Sequence, residues 1–151
     1  MIVAGCGVPS PPPGTGDPGN AKLHTLDRQA IFHVLPPGAT LTKPIRLIPA
    51  KWDYSWYGGW NNPAVTVSFQ SSESIQAVYT FYANEAAATG WHPVPLHTIS
   101  FGLQDVWSKT LPDGATADLM LTYGGPDNAT SPNEVLPYPY TLNGEVAAKV
   151  R

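Results

Sequence analysis

Hydrophobic and polar residues alternate along several stretches of this chain. Val65, Val67 and Phe69 are separated by Thr66 and Ser68, which is the period of a strand with one buried face. The same period predicts four later strands, at 97–101, 105–111, 117–123 and 140–150, with a bulge at Gly144 in the last one. The sequence LPDGA between the second and third of these strands is typical of a tight hairpin turn.

Helical spacing replaces this alternation after the first strand. The positions that form one apolar face are Ile75, Val78, Tyr79, Tyr82 and Ala86. They predict a helix over 72–89, capped by Ser71 or Ser72 and ended by Gly90. The segment 23–39 predicts a shorter helix that stops at Pro36, and 40–48 predicts an edge strand.

This order of elements predicts the fold class. One strand, a helix and four successive strands indicate an α+β fold, in which an antiparallel sheet of about five strands has the main helix packed on one face and a short N-terminal helix beside it. The 151 residues suit a single domain, assigned to 21–151. We expect that domain to be a monomer.

Composition restricts the classes of partner. The net charge is only −3, and the eight Lys and Arg residues are scattered, so no footprint for nucleic acid or for an anionic membrane surface is predicted. No stretch has the 18 or more apolar residues that span a bilayer. We therefore expect no nucleic-acid partner and no transmembrane helix.

The N-terminal segment has the pattern of a lipid attachment site. Val3, Ala4 and Gly5 precede Cys6, the only cysteine, as an aliphatic and two small residues precede the lipidated cysteine in a bacterial lipobox. Residues 7–20 follow with five Pro and four Gly in fourteen positions, which predicts a stiff tether and not a core element. The sequence thus predicts a lipobox-like start and tether over 1–20, with a lipid at Cys6 that holds the protein to a membrane. It also predicts that the native gene encodes more of a signal peptide upstream.

An aromatic cluster lies before the first strand. Its five rings fall within nine positions: Trp52, Tyr54, Trp56, Tyr57 and Trp60. Such rings are able to dock a sugar or another small ligand, or to fold back and cover the sheet. We expect at least two of Trp52, Trp56 and Trp60 to be buried as a flap over the domain.

The sequence contains no recognised catalytic, cofactor or metal motif. The four histidines, His24, His33, His92 and His97, lack the spacing of metal ligands. Asp105 could meet Asp118 across adjacent strands as an acid/base pair, although solvated strand charges are the simpler interpretation. We therefore expect no enzyme, no cofactor and no metal.

Four segments in order resemble a family of uncharacterised secreted lipoproteins of actinobacteria. They are LPPGAT at 35–40, GGWNNPAVTVSF at 58–69, FYANEAAATGW at 81–91 and VWSKTLPDGATADLMLTY at 106–123. The resemblance implies secretion and anchoring through Cys6 at the outer face of the cytoplasmic membrane, with no catalytic residues to transfer.

Three functional hypotheses remain open at this point. The first is a non-catalytic cell-envelope lipoprotein domain that binds a protein or a wall component. The second is a small-ligand or carbohydrate binder that uses the Trp52 to Trp60 cluster. The third is a hydrolase whose carboxylate and histidine are brought together only by the fold.

Overall fold

The computed structural model describes residues 20–53, 59–95, 104–124 and 137–146. The elements in these ranges are, in chain order, α1 Asn20–Asp27, a 3-10 helix Ala30–His33, β1 Thr40–Leu41, β2 Arg46–Ile48, β3 Lys51–Asp53, β4 Gly59–Asn61, β5 Ala64–Ser71, α2 Ile75–Ala88, β6 His92–Pro93, β7 Gln104–Thr110, β8 Thr116–Tyr123 and β9 Tyr138–Val146. The structure is α+β, with one main helix and a short N-terminal helix, as the sequence predicts.

The strands form one large antiparallel sheet and one small ribbon. Within the described residues the large sheet has seven strands in the order β1, β5, β9, β8, β7, β6, and β2 also pairs with β5. The four long strands β5, β9, β8 and β7 form its centre, while β1, β2 and β6 have only two or three residues each. β3 and β4 form the separate ribbon.

Alternation along the four long strands divides the sheet into two faces. One face is buried beneath the helices and includes Val65, Val67 and Phe69 of β5, as predicted. The same face in β7, β8 and β9 contributes a further set of buried residues: Trp107, Ala117, Leu119, Leu121, Tyr138, Tyr140, Leu142 and Val146. The predicted strand at 97–101 and the end of the last strand, at 147–150, lie outside the described residues.

Helix α2 covers this face but begins later than the sequence predicts. Ser74 is the N-cap, and its Oγ accepts the backbone N–H of Ala77 at 3.1 Å. The expected cap at Ser71 or Ser72 is wrong because Ser71 still belongs to β5, where it is buried and accepts the N–H of Glu73. At the other end Gly90 has a φ of 83°, the left-handed conformation predicted for the residue that ends the helix.

The N-terminal helical segment packs on the same face of the sheet. It consists of α1 and the 3-10 helix, and Leu26, Ile31 and Phe32 are buried there. The Tyr82 hydroxyl of α2 donates to the carbonyl of Val34 at 3.2 Å, which joins the two helical layers. The helical segment ends before Pro36, as predicted, but it is not one helix, since α1 ends at Asp27 and the 3-10 helix Ala30–His33 is separate from it.

Lys109 of β7 links three parts of the helical layer. Its Nζ donates to Gln29 Oε1 at 2.8 Å and to the carbonyl of Thr89, the C-cap of α2, at 2.6 Å. The same ammonium lies 5.8 Å from the centre of the buried Trp91 ring, within the range of a cation–π contact. One cation thus ties α2 to the segment before the sheet.

The hairpin between β7 and β8 has the predicted turn. The N–H of Leu111 donates to the carbonyl of Ala115 at 2.8 Å, and Asp113 Oδ1 accepts the N–H of Ala115 at 2.9 Å. Gly114 has a φ of 83°, which a residue with a side chain adopts only at a cost. The turn fixes which residues of β7 and β8 face each other.

Gly144 does not form the predicted bulge. The pairing of β9 with β5 and with β8 runs through Gly144 without an extra residue, so Val65 and Leu119 lie directly opposite it. The glycine has a different role: a Cβ at this position would overlap the ring of Phe32. The missing side chain leaves the space in which Phe32 packs on the sheet.

This contact generates a stability prediction. Gly144→Ala should lower the free energy of unfolding by about 1 to 3 kcal/mol, because the added methyl group forces the Phe32 ring out of its site. Gly124→Ala is the matched control, since a Cβ there meets only ordinary contacts with Pro139, and it should stay within about 0.5 kcal/mol of the wild type. Equal urea midpoints for the two variants would show that the ring moves aside freely.

Candidate functional site

The ribbon extends the β2–β5 hairpin beyond the end of the large sheet. Ile48 of β2 pairs with Ala64 of β5, and a few residues further on Lys51 of β3 pairs with Asn61 of β4. Only short connections, which contain Pro49 and Pro63, separate the β2–β5 pairing from the β3–β4 pairing. The ribbon therefore carries the ends of the predicted aromatic cluster.

Trp52 and Trp60 face each other across this ribbon. They are direct cross-strand partners, their ring centres are 5.5 Å apart, and the ring planes meet at 80° in an edge-to-face contact. Both side chains are half-buried. Tyr54, Trp56 and Tyr57, the other members of the predicted cluster, lie outside the described residues.

The expected flap over the sheet is not formed by these two rings. Neither Trp52 nor Trp60 belongs to the hydrophobic core or to the half-buried residues packed against it. The buried face of the large sheet is covered instead by the N-terminal helical segment and by Trp91. The Trp91 ring meets Phe32 edge to face, with the ring centres 6.5 Å apart. Half-burial leaves both rings partly accessible to a ligand.

This position sets the expected effect of removing one ring. Trp60→Ala should cost about 1 kcal/mol of unfolding free energy, the value of a cross-strand aromatic pair. Trp107→Ala, which removes a ring only 4% exposed in the core, should cost about 3 to 5 kcal/mol. Chemical denaturation of both variants checks the difference, and a loss at Trp60 as large as at Trp107 would restore the flap interpretation.

The second candidate site is the face of the sheet that the helices leave open. Here the side chains are mostly short and polar, and Thr66 Oγ1 donates to Asn143 Oδ1 at 2.8 Å. Asn143 Nδ2 in turn donates to Glu145 Oε1 at 3.3 Å. The network orients the Asn143 amide on the surface of the two adjacent strands β5 and β9.

A shallow depression of about 280 Å³ lies beside this network. It is lined by Val94, Val106, Asp118, Met120, Asn143 and Glu145. Apolar side chains thus form one part of its wall, and an amide with two carboxylates forms the rest. Such a mixed polar and apolar surface suits contact with another molecule, although its openness does not favour the deep enclosure of a small ligand.

Asp118 lies directly opposite Glu145 across β8 and β9, with both side chains exposed. Like charges at facing positions, whose Cβ atoms are about 5 Å apart, weaken a sheet slightly. Ser108 and then His92 continue the same row toward the β6 edge. No hydrogen bond joins these four side chains to one another, and none of the described histidines lines the depression beside the Asn143 network.

The predicted pairing of Asp105 with Asp118 is wrong. The register places Asp105 opposite Leu121 on the helix side and Asp118 opposite Ser108 on the open side. Facing residues of β7 and β8 have numbers of the same parity, so an odd and an even position cannot share a face. Burial raises the pKa of the Asp105 carboxyl.

Tyr79 lies near Asp105 on the helix side. Burial, and then the Asp105 charge, raise the pKa of the Tyr79 hydroxyl. Burial also raises the pKa of Tyr140 to about 12, and its hydroxyl has no hydrogen-bond partner among the described residues. Both phenols are therefore protonated at neutral pH.

The described histidines do not gather into a metal site. His24 and His92 are exposed, His97 lies outside the described residues, and His33 Nε2 donates to the carbonyl of Asp27 at 2.6 Å. The Asp27 carboxylate is 3.5 Å from the same nitrogen, a neighbour that the sequence spacing did not predict. Across 20–53, 59–95, 104–124 and 137–146, no group of three or more His, Cys, Asp or Glu residues is placed to hold a metal.

The fold and these two surfaces define a small α+β domain with one covered and one open sheet face. A comparison of the chain with protein-family models, with curated proteins and with solved structures found no match. Neither α1 nor α2, the α-helices within the described ranges, is long and apolar enough to cross a membrane.

Proposed function

We propose that the chain is a non-catalytic lipoprotein domain of the bacterial cell envelope, from an actinobacterium. A lipid on Cys6 anchors it to the outer face of the cytoplasmic membrane. The domain binds a protein or a component of the cell wall through the open face of its sheet. The observation that carries the binding function is the ordered Thr66, Asn143 and Glu145 network beside a mixed polar and apolar depression.

Two features of the sequence support the anchor. The lipobox-like residues Val3 to Cys6 are followed at once by the Pro-rich segment 7–20. At roughly 3 Å per residue, that segment reaches up to about 40 Å from a membrane. This reach suits a domain that meets a partner in the layer above the membrane.

Lipidation can be tested by phase separation. The protein expressed with a complete bacterial signal peptide upstream should enter the detergent phase, because more than one acyl chain on Cys6 would give stable membrane attachment. Cys6→Ser should move it to the aqueous phase, and Ser10→Ala in the same tether should not. Equal partition of the wild type and Cys6→Ser would contradict lipidation.

Binding through the open face can be tested with purified cell walls of an actinobacterium. The Cys6→Ser protein should sediment with the walls, and Asn143→Arg should reduce the bound fraction about tenfold or more by blocking the centre of the face, a loss of at least one hot spot. Asn84→Arg is the matched control, since Asn84 is exposed on the outer side of α2. Equal sedimentation of both variants would exclude the open face.

A second candidate function rests on Trp52 and Trp60. The two rings contact each other edge to face and are only half-buried, and partly exposed aromatic rings are groups on which sugars dock. The same sedimentation separates this alternative from the first. Trp52→Ala should then abolish wall binding, whereas Asn143→Arg should leave it intact.

A further inference from the structure

The edge of the sheet formed by β1 and β2 exposes apolar side chains. Leu41, Leu47 and Ile48 are 44%, 42% and 37% exposed, and they are three of the four exposed large hydrophobic residues of the described chain. The fourth, Val94, lies after β6 at the opposite edge. Leu41 and Leu47 flank this edge on the helix side of the sheet, and Ile48 flanks it on the open side.

Basic side chains lie among these apolar ones. Lys43, Arg46 and Lys51 are all exposed, and they are three of the eight Lys and Arg residues of the chain. No Asp or Glu occurs anywhere from 28 to 52, although the whole chain is acidic. These three basic residues lie within nine positions of the sequence, at or next to the β1–β2 edge.

This edge also lies where the chain enters the domain. Helix α1 packs against β2 as well as β5 and β9, and α1 follows directly on the segment 7–20. The ribbon with Trp52 and Trp60 extends from the same β2–β5 pair. Tryptophan is enriched at the boundary between a membrane and water, so the ribbon fits that setting too.

We propose that this edge, which we define as Leu41, Lys43, Arg46, Leu47, Ile48 and Lys51, rests on an anionic phospholipid bilayer. The three cations bind lipid phosphates while the three apolar side chains enter the region between headgroups and acyl chains. The sheet then stands with its β1–β2 edge on the membrane. Its β6 edge points away.

Two observations favour a bilayer over other occupants of this edge. A soluble anionic polymer would pair with the cations but would leave Leu41, Leu47 and Ile48 in water. A second copy of the chain would need a continuous edge to add a strand, and Pro44 and Pro49, which lack the N–H donor, interrupt this one. A bilayer satisfies both the charged and the apolar side chains.

This inference deepens the proposed function, because a lipid at Cys6 would hold the edge close to the membrane. Its test uses the full chain with Cys6→Ser, so no acyl chain contributes. The result is then independent of the phase-separation experiment. Failure of one does not imply failure of the other.

The experiment is sedimentation with vesicles of phosphatidylglycerol and phosphatidylcholine in equal parts. The Cys6→Ser protein should bind these vesicles, bind pure phosphatidylcholine much more weakly, and dissociate as salt is added. Lys43→Gln, Arg46→Gln and Lys51→Gln together should lower the partition coefficient on the order of 100-fold, about fivefold for each charge. Circular dichroism shows that each variant is folded.

Matched controls distinguish an effect of this edge from an effect of total charge or of surface hydrophobicity elsewhere. Arg28→Gln, Lys149→Gln and Arg151→Gln together remove the same charge from other positions in the sequence, and they should change the partition less than fivefold. Leu47→Ser should weaken binding severalfold, while Val94→Ser, at nearly equal exposure, should not.

Three results would overturn the proposal. They are equal binding to both kinds of vesicle, an equal loss in the two triple-charge variants, and no vesicle binding by a protein that still binds soluble polyphosphate. The last result would identify an anionic polymer as the occupant of the edge.

Discussion

The space above Gly144 is the constraint on which the helical side of the protein depends. Only a residue without a side chain leaves room for Phe32 on the middle of the sheet, and Phe32 brings the 3-10 helix with it. Trp91 packs edge to face against that ring, directly after the end of α2. Lys109 then donates hydrogen bonds to both helical segments. The helical layer is therefore held by the packing of Phe32 over Gly144 and by the Lys109 ammonium.

Because all the helical cover lies on one face, the other face is left open. The short polar side chains there need no cover, since their hydrogen-bonding groups are satisfied by neighbours or by water. The Thr66 and Asn143 pair keeps that surface ordered without a core behind it on the solvent side. The asymmetry of the fold therefore places the core on the helical face and leaves the open face for the recognition that we propose.

Local patterns predicted the fold well, while the sites depended on contacts between distant parts of the chain. The alternation in β5 and β8 and the turn at Gly114 depend only on neighbouring residues. That turn also fixes the register, so the parity that separates Asp105 from Asp118 was already readable from the sequence. The fit of Phe32 over Gly144 was not readable, because it joins residues that only the complete fold brings together.

The candidate sites were found only in part for the same reason. The aromatic cluster could be recognised from the sequence alone. Whether Trp52 and Trp60 cover the sheet depends on whether another segment already covers it, and the N-terminal helical segment does so. Asn143 and Glu145 looked like ordinary polar positions of an alternating strand until the register placed them beside Thr66 and Asp118.

The place of β9 in the sheet has a consequence for the order of folding. The last described strand lies between β5 and β8, and it pairs with both along most of its length. Until residues 138–146 have been synthesised, the strands on either side have no partner that joins them into one sheet. Such long-range pairing makes folding slow and delays it until β9 has been synthesised. A chain that crosses a membrane before it folds would gain from this delay, because the centre of the sheet cannot close until β9 has been delivered.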